Sequence, residues 1–146
     1  MNLAYIDEIL IAWMHRYGLT LLRFAIGVVF VWFGALKILG ISPVTQLVAE
    51  TYSFLPPGFL LFLGVWEVAI GIGLIGKIAL RTTLALLWLQ MLGTFTSLLL
   101  NPAVFFINSN FFLLTTEGEF VIKNIVFIAA SIVIGGFEGS SKKTVQ

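Results

Sequence analysis

The sequence predicts an all-α polytopic membrane protein: one domain, built as a bundle of four transmembrane helices with short interfacial helices. Three observations carry that reading. Of the 146 residues, 60% are hydrophobic and 10% are charged, against about 25% charged in an ordinary soluble domain. Four apolar stretches recur along the chain, each close to the ~20 residues a helix needs to cross ~30 Å of hydrocarbon. The basic residues between them collect on one side of a four-span arrangement. A water-exposed fold of this length has no place for a mean hydropathy of +1.08; a bilayer has.

The elements follow in order. Leu3, Ile6, Leu10, Trp13 and Tyr17 form a stripe on residues 3–17, which predicts an amphipathic helix lying at the interface. Asp7 and Glu8 stand where a cleavable signal needs positive charge, so insertion is expected to be directed by the spans themselves. The spans are Leu19–Leu39, Gly58–Gly76, Thr82–Leu100 and Phe120–Gly136. They must be helices, because an open strand leaves backbone groups unpaired in lipid. Between the first two spans, Ser42-Pro43 reads as a cap and first turn. It opens a short surface helix over residues 43–52, stopped by Pro56-Pro57. The turn at Lys77–Arg81 is tight. The connection Asn101–Glu119 is longer and carries Phe105, Phe106, Phe111 and Phe112, so it should fold back on the bundle or the interface.

Orientation comes from the short loops. Arg16, Lys77, Arg81, Lys142 and Lys143 fall on one side, whereas the opposite loops carry Glu50 and Glu117. The basic side is expected to be cytoplasmic, with both termini inside.

The polar residues within the spans are the informative ones. Arg23, Gly27, Phe30, Gly34 and Lys37 recur at steps of four and three and share one face of the first span. Leu60, Gly64, Glu67, Gly71 and Leu74 do the same on the second. Glycine on a membrane helix admits a neighbouring backbone at close range, so these two faces are expected to meet. Thr83, Leu87, Gln90, Thr94, Ser97 and Asn101 form the most polar stripe, on the third span. Lys123 and Asn124 stand near the start of the fourth, ahead of Phe127, Ser131 and Gly135. At ~1.5 Å of rise per residue, Glu67 and Gln90 lie near mid-membrane. An ionised group there costs roughly 2.5–3.5 kcal/mol on insertion scales, so Glu67 must be protonated, paired or wet. The expected arrangement is a buried cluster of Glu67, Gln90, Asn124 and one of Lys37 or Lys123, serving as a ligand or proton site or as interhelical glue. Arg23 is expected to snorkel to the nearer boundary. Trp66 and Trp88 lie too deep for an interfacial belt and are expected to pack a pocket.

Other chemistries are excluded or disfavoured. There are no cysteines and one histidine, His15, which rules out thiol redox chemistry and a haem held by two histidines of this chain. No histidine–carboxylate set has metal-ligand spacing, and the Gly71-x-Gly73-x-x-Gly76 pattern lies inside a span. A net charge of +1 gives no footprint for nucleic acid. No cofactor site is expected in the chain itself. The bilayer is the one partner the composition implies, and a homo-oligomer is compatible with it.

Leu22-Arg23-Phe24-Ala25-Ile26-Gly27 with Phe30 and Gly34 through Lys37 resembles the first helix of DoxX-like membrane proteins. Gly64-Val65-Trp66-Glu67-Val68-Ala69-Ile70-Gly71 is similar to their second, and Thr116-Glu117-Gly118-Glu119-Phe120-Val121-Ile122-Lys123-Asn124 to their fourth. The resemblance spans roughly Leu19 to Gly136. It implies a four-helix fold in the bacterial inner membrane and, for some relatives, a place as a small subunit of a quinone-linked oxidoreductase or a link to oxidative stress. On that basis quinone is the ligand to expect and a redox subunit the partner. It carries Arg23, Gly27, Gly34, Lys37, Glu67, Gly71, Lys123 and Asn124 as pattern positions, without a catalytic role. Transport of protons or a small solute through the same cluster, and a purely structural or assembly role, are the alternative readings.

Overall fold

A computed structural model describes residues 3–51, 56 and 58–139. Its helices are α1 (Leu3–Ile38), α2 (Thr45–Thr51), α3 (Phe59–Gly76), α4 (Leu80–Leu100), α5 (Pro102–Phe105), α6 (Thr116–Ile122) and α7 (Ile125–Glu138), with a 3₁₀ turn at Ile107–Ser109. The only extended pairing among the described residues is a single bridge, Phe106 to Leu114. Four helical stretches are long and apolar enough to cross a membrane: Tyr5–Ile38, Phe59–Gly76, Leu80–Leu100 and Thr116–Glu138. The chain is an all-α, membrane-type bundle. Its long helices contact in the cyclic order α1, α3, α4, α7 and back to α1.

Three local expectations are corrected. The segment 3–17 is not a separate interfacial helix but the first part of α1, which runs unbroken for 36 residues. At ~1.5 Å per residue it is about 54 Å long, well beyond one bilayer core. No proline or glycine pair interrupts it, so hydrogen bonding continues through Gly18. The fourth span is not one helix. At Lys123 and Asn124 the i→i−4 ladder gives way to i→i−3 bonds, Asn124 N to Val121 O at 3.0 Å and Val126 N to Lys123 O at 3.0 Å. This is the tightening expected where a helix is interrupted. Finally, α2 begins at Thr45, not at Ser42-Pro43. The Ser42 carbonyl accepts from the Thr45 amide at 3.1 Å and from its hydroxyl at 2.8 Å. Tyr52 and Pro57 of the expected helix and its stop, and the basic residues Lys142 and Lys143, lie outside the described residues.

The closest packing is between α1 and α3, and glycine is the reason. A Cβ on Gly34 would lie 2.5 Å from Gly64 O, and one on Gly71 would lie 2.6 Å from Gly27 O. The two antiparallel backbones therefore touch at two levels, Gly27 with Gly71 and Gly34 with Gly64, as the sequence faces predict. The seven-residue step on both helices is the period of a left-handed coiled pair. Inside the bundle, Ile26, Phe30, Ile70, Leu74, Leu87, Met91 and Ile134 form the main core. Leu21, Val65, Leu92, Leu99 and Val126 are more than half exposed and coat the outside, as lipid-facing side chains do.

The phenylalanine-rich connection divides. Phe105 and Phe106 are buried and pack with Val121 in a second small core, whereas Phe111 and Phe112 are exposed. Thr115 sets this region. Its hydroxyl accepts from Gly118 N at 3.1 Å, capping α6, and donates to Val104 O at 2.7 Å. Glu117 and Glu119 in the first turn complement the helix dipole. Gly118 has no side chain because the Phe105 carbonyl occupies that space.

Candidate functional site

The helix order brings polar side chains together at two levels. At one, Glu67 sits midway along α3 and points inward, 8% exposed. Lys37, near the end of α1, donates to Glu67 Oε2 at 2.6 Å. Gln90 of α4 donates from Nε2 to Glu67 Oε1 at 2.9 Å. Both carboxylate oxygens are thereby satisfied, and the lysine that pairs with the acid is Lys37. The Gly34–Gly64 contact one turn away holds α1 and α3 close enough for that pairing. Side chains lean toward the N-terminus of their helix, so on antiparallel α1 and α3 Lys37 and Glu67 lean toward each other.

Beside this trio lies a cavity of about 450 Å³. Its walls are mainly aromatic and aliphatic, with Phe30, Phe33, Phe59, Phe62, Trp66 and Phe127 among them. Lys37, Glu67, Gln90, Thr51, Thr94, Ser97 and Asn124 supply its polar points. Asn124 stands at the break between α6 and α7, and its side chain makes no capping bond to α7; it is 8% exposed and faces the cavity. Thr94 and Ser97 hydroxyls bond back to Gln90 O at 3.0 Å and Thr94 O at 2.6 Å, leaving their lone pairs to the cavity. Trp66 lines the cavity and donates to Leu86 O at 3.3 Å. Trp88 does not line it; it donates to Ser131 Oγ at 2.7 Å instead.

Two candidates fall elsewhere. Lys123 is exposed and not on the cavity wall: as the next residue along a helical turn it points about 100° away from Asn124, which faces in. Arg23 belongs to the second level, some 14 residues away along α1. It is buried rather than snorkelling. Its Nη1 donates to the carbonyls of Leu74 and Ile75, the latter at 2.9 Å. Its Nε lies 3.0 Å from Glu138 Oε2 of α7, an ion pair without a directed hydrogen bond. Lys77 Nζ reaches the other oxygen of Glu138 at 3.5 Å, and Arg81 donates to Gly139 O at 3.3 Å. Arg23 thus bonds two carbonyls in the last turn of α3, sharing Leu74 O with the Lys77 amide. Glu138 escaped the sequence reading because it follows the apolar run, where a carboxylate looks like a solvated end.

Between the two levels the core is closely packed: Ile70, Leu74, Leu87 and Ile134 have no exposed surface. Among the described residues no group of three or more His, Cys, Asp or Glu stands where a metal could bind. In comparisons with known proteins, no protein family, curated protein or solved structure matches the chain.

What the geometry offers chemically is a hydrophobic slot with a charged edge. A lysine ammonium has three N–H donors, and Glu67 engages one, so Lys37 keeps donors for an oxygen placed in the cavity. Gln90 and Asn124 add amide groups, and the aromatic walls suit a flat ring.

Proposed function

We propose that this chain is a DoxX-like membrane subunit of a quinone-linked redox system or of an oxidative-stress response, placed in the bacterial inner membrane with both termini cytoplasmic. The observation that carries the reading is the aromatic-walled cavity bordered by the Lys37–Glu67–Gln90 trio. A quinone is a planar apolar ring with oxygens at its edge, and such a cavity matches that chemistry: ring against Phe and Trp, oxygen against the Lys37 ammonium. Reduction of a quinone takes two electrons and two protons. In this reading both electrons come from a partner redox subunit; the Lys37 ammonium, beside Glu67, gives one proton to the quinone oxygen it meets and is reprotonated from water, and the second proton reaches the other oxygen from water. The resemblance of the Arg23–Lys37, Gly64–Gly71 and Thr116–Asn124 segments to DoxX-like proteins supports the same assignment.

Transport ranks second, because a proton or solute crossing the bundle would need a polar path past Ile70, Leu74, Leu87 and Ile134. The test is calorimetric titration of the purified protein, in detergent, with a short-tailed ubiquinone and a naphthoquinone analogue. It is paired with quantitative copurification of a redox protein from the native membrane. Binding that falls at least tenfold in Glu67→Gln supports the proposal. Absence of both binding and a redox partner ends it. Proton flux in liposomes that is lost in Glu67→Gln would favour transport.

A further inference from the structure

One polar group on the cavity wall stands apart from the Glu67 trio and is used by nothing in the fold. Asn124 is buried and lines the cavity, and its side-chain amide makes no hydrogen bond among the described residues. Nor is that amide sealed. Among the described residues, the buried groups with neither a partner nor accessible surface are Arg23 Nε, Thr51 Oγ1 and Glu138 Oε2, so the little surface that Asn124 keeps includes its polar atoms. Its neighbours Lys123 and Ile125 are exposed, whereas Val121 and Ser131, on the same helical face, are buried. That surface therefore opens inward, to the cavity. Buried amides in proteins are as a rule hydrogen-bonded, and protein surrounded by lipid has no bulk water to serve them.

Order and register place this amide across from the trio. The long helices run α1, α3, α4, α7 around the bundle, so α7 stands diagonally from α3, which carries Glu67. The Gly27–Gly71 and Gly34–Gly64 contacts set Glu67 between the Gly27 and Gly34 levels of α1, where Phe30 lies. Phe30 packs edge-on against Phe127 with ring centroids 5.5 Å apart. Together with the Arg23–Glu138 pair, that contact shows α7 running antiparallel to α1. Asn124, about one turn before Phe127, therefore lies on the Lys37 side of the two rings, and Glu67 leans the same way to meet Lys37. The trio and the amide are opposed walls at one depth, with Phe30 and Phe127 as the floor beneath them.

We propose that Asn124 is the second polar contact of the bound ring: a para-quinone spans the cavity, one oxygen accepting from Lys37 and the opposite oxygen accepting from the Asn124 amide. An ortho-quinone carries both oxygens on one edge and reaches one wall only. An amide both donates and accepts, so Asn124 holds the carbonyl of a quinone and the hydroxyl of the corresponding quinol alike. The inference rests on the quinone reading and adds the substitution pattern of the ring and one specificity residue.

The experiment measures equilibrium quenching of Trp66 fluorescence by two isomers, 1,4-naphthoquinone and 1,2-naphthoquinone, in protein held in nanodiscs. The chain has no cysteine to add to either ring, and Trp66→Phe supplies the background. Wild type should bind the 1,4 isomer at least tenfold more tightly than the 1,2 isomer. Asn124→Leu, which keeps the bulk and removes the amide, should cut that preference below threefold by weakening the 1,4 isomer, with the 1,2 isomer changed less than threefold and the melting temperature held. Asn124→Ala should repeat the pattern. If wild type binds both isomers equally, or a folded variant keeps the preference, Asn124 is not the second contact, and the quinone reading stands without it. If neither variant folds, the amide serves the fold and the assignment is wrong. If wild type binds neither isomer, the quinone reading falls, and this inference with it.

Discussion

The two ionic levels of the bundle look alike in sequence and differ in what they leave unused. At the Arg23 level, the charged groups are paired with one another and with helix ends. Arg23 serves carbonyls of α3 and the carboxylate of α7, and Lys77 shares that carboxylate. At the Lys37 level, Glu67 is saturated by Lys37 and Gln90, yet the lysine keeps spare donors, and Thr51 and Asn124 face a cavity. The lesson is that burial and charge do not by themselves separate a structural ion pair from a binding site. The separation lies in unused hydrogen-bonding capacity next to open space.

The largest effect should come from breaking what holds both levels in register. Gly71→Leu would drive a side chain into the Gly27 carbonyl, 2.6 Å from where a Cβ would sit. Overpacking that side chains can absorb costs about 1–3 kcal/mol; here the obstruction is the backbone of the facing helix, which cannot give, so the loss should be larger. Loss of folded protein, read by thermal unfolding and size-exclusion chromatography, should exceed that of any other variant considered. A Gly71→Leu protein as stable as wild type would mean the α1–α3 contact is not a principal support.

Next in size is Arg23→Met. It leaves Glu138 buried beside only the half-exposed Lys77, and stranding one partner of a buried pair costs roughly 3–5 kcal/mol. Adding Glu138→Gln should restore much of the loss. Quinone affinity per folded molecule should be unchanged in the double variant. A tenfold drop in affinity there would erase the distinction between the levels.

Glu67→Gln should reverse the balance. Its stability loss should be smaller than that of Arg23→Met, because the freed Lys37 borders a cavity and can be solvated. Its affinity for decyl-ubiquinone should fall at least tenfold, equivalent to about 1.4 kcal/mol. Equal unfolding penalties for the two variants, with no change in binding for either, would assign both levels to the fold alone.

The smallest effect is expected at the α3–α4 turn. Lys77 and Ala79 both have positive φ, 54° and 42°, a region that disfavours L side chains. The Ile78 N–H bonds Gly73 O at 2.9 Å, closing the α3 end in a Schellman arrangement with Lys77 where glycine is usual. Ala79→Gly should stabilise the protein by at most about 1 kcal/mol, measured as a small rise in melting temperature without change in ligand affinity. A loss of stability would show that the turn is held by contacts stronger than backbone preference.

Much of this architecture was legible in the residues. The spans, the matching glycine faces and the need of Glu67 for partners follow from composition and helical period, which are local properties. The helix ends at Ile38, Gly76 and Leu100 fall within a residue of expectation. Gln90 and Asn124 were placed at the site because depth follows from counting residues along a helix of known rise.

What periodicity cannot carry is rotation and closure, and those decided the rest. Lys37 and Lys123 are equal candidates until the rotation of the α6–α7 segment, which turns Asn124 to the cavity, leaves Lys123 outside it. Arg23 meets the last turn of α3 and Glu138 of α7 because the three helices converge at its level. Thr51 entered the cavity because α2 folds over its edge. Each depends on how separate helices are rotated and spaced against one another. The hydrophobic pattern of any single helix leaves that free, and side-chain packing between helices sets it.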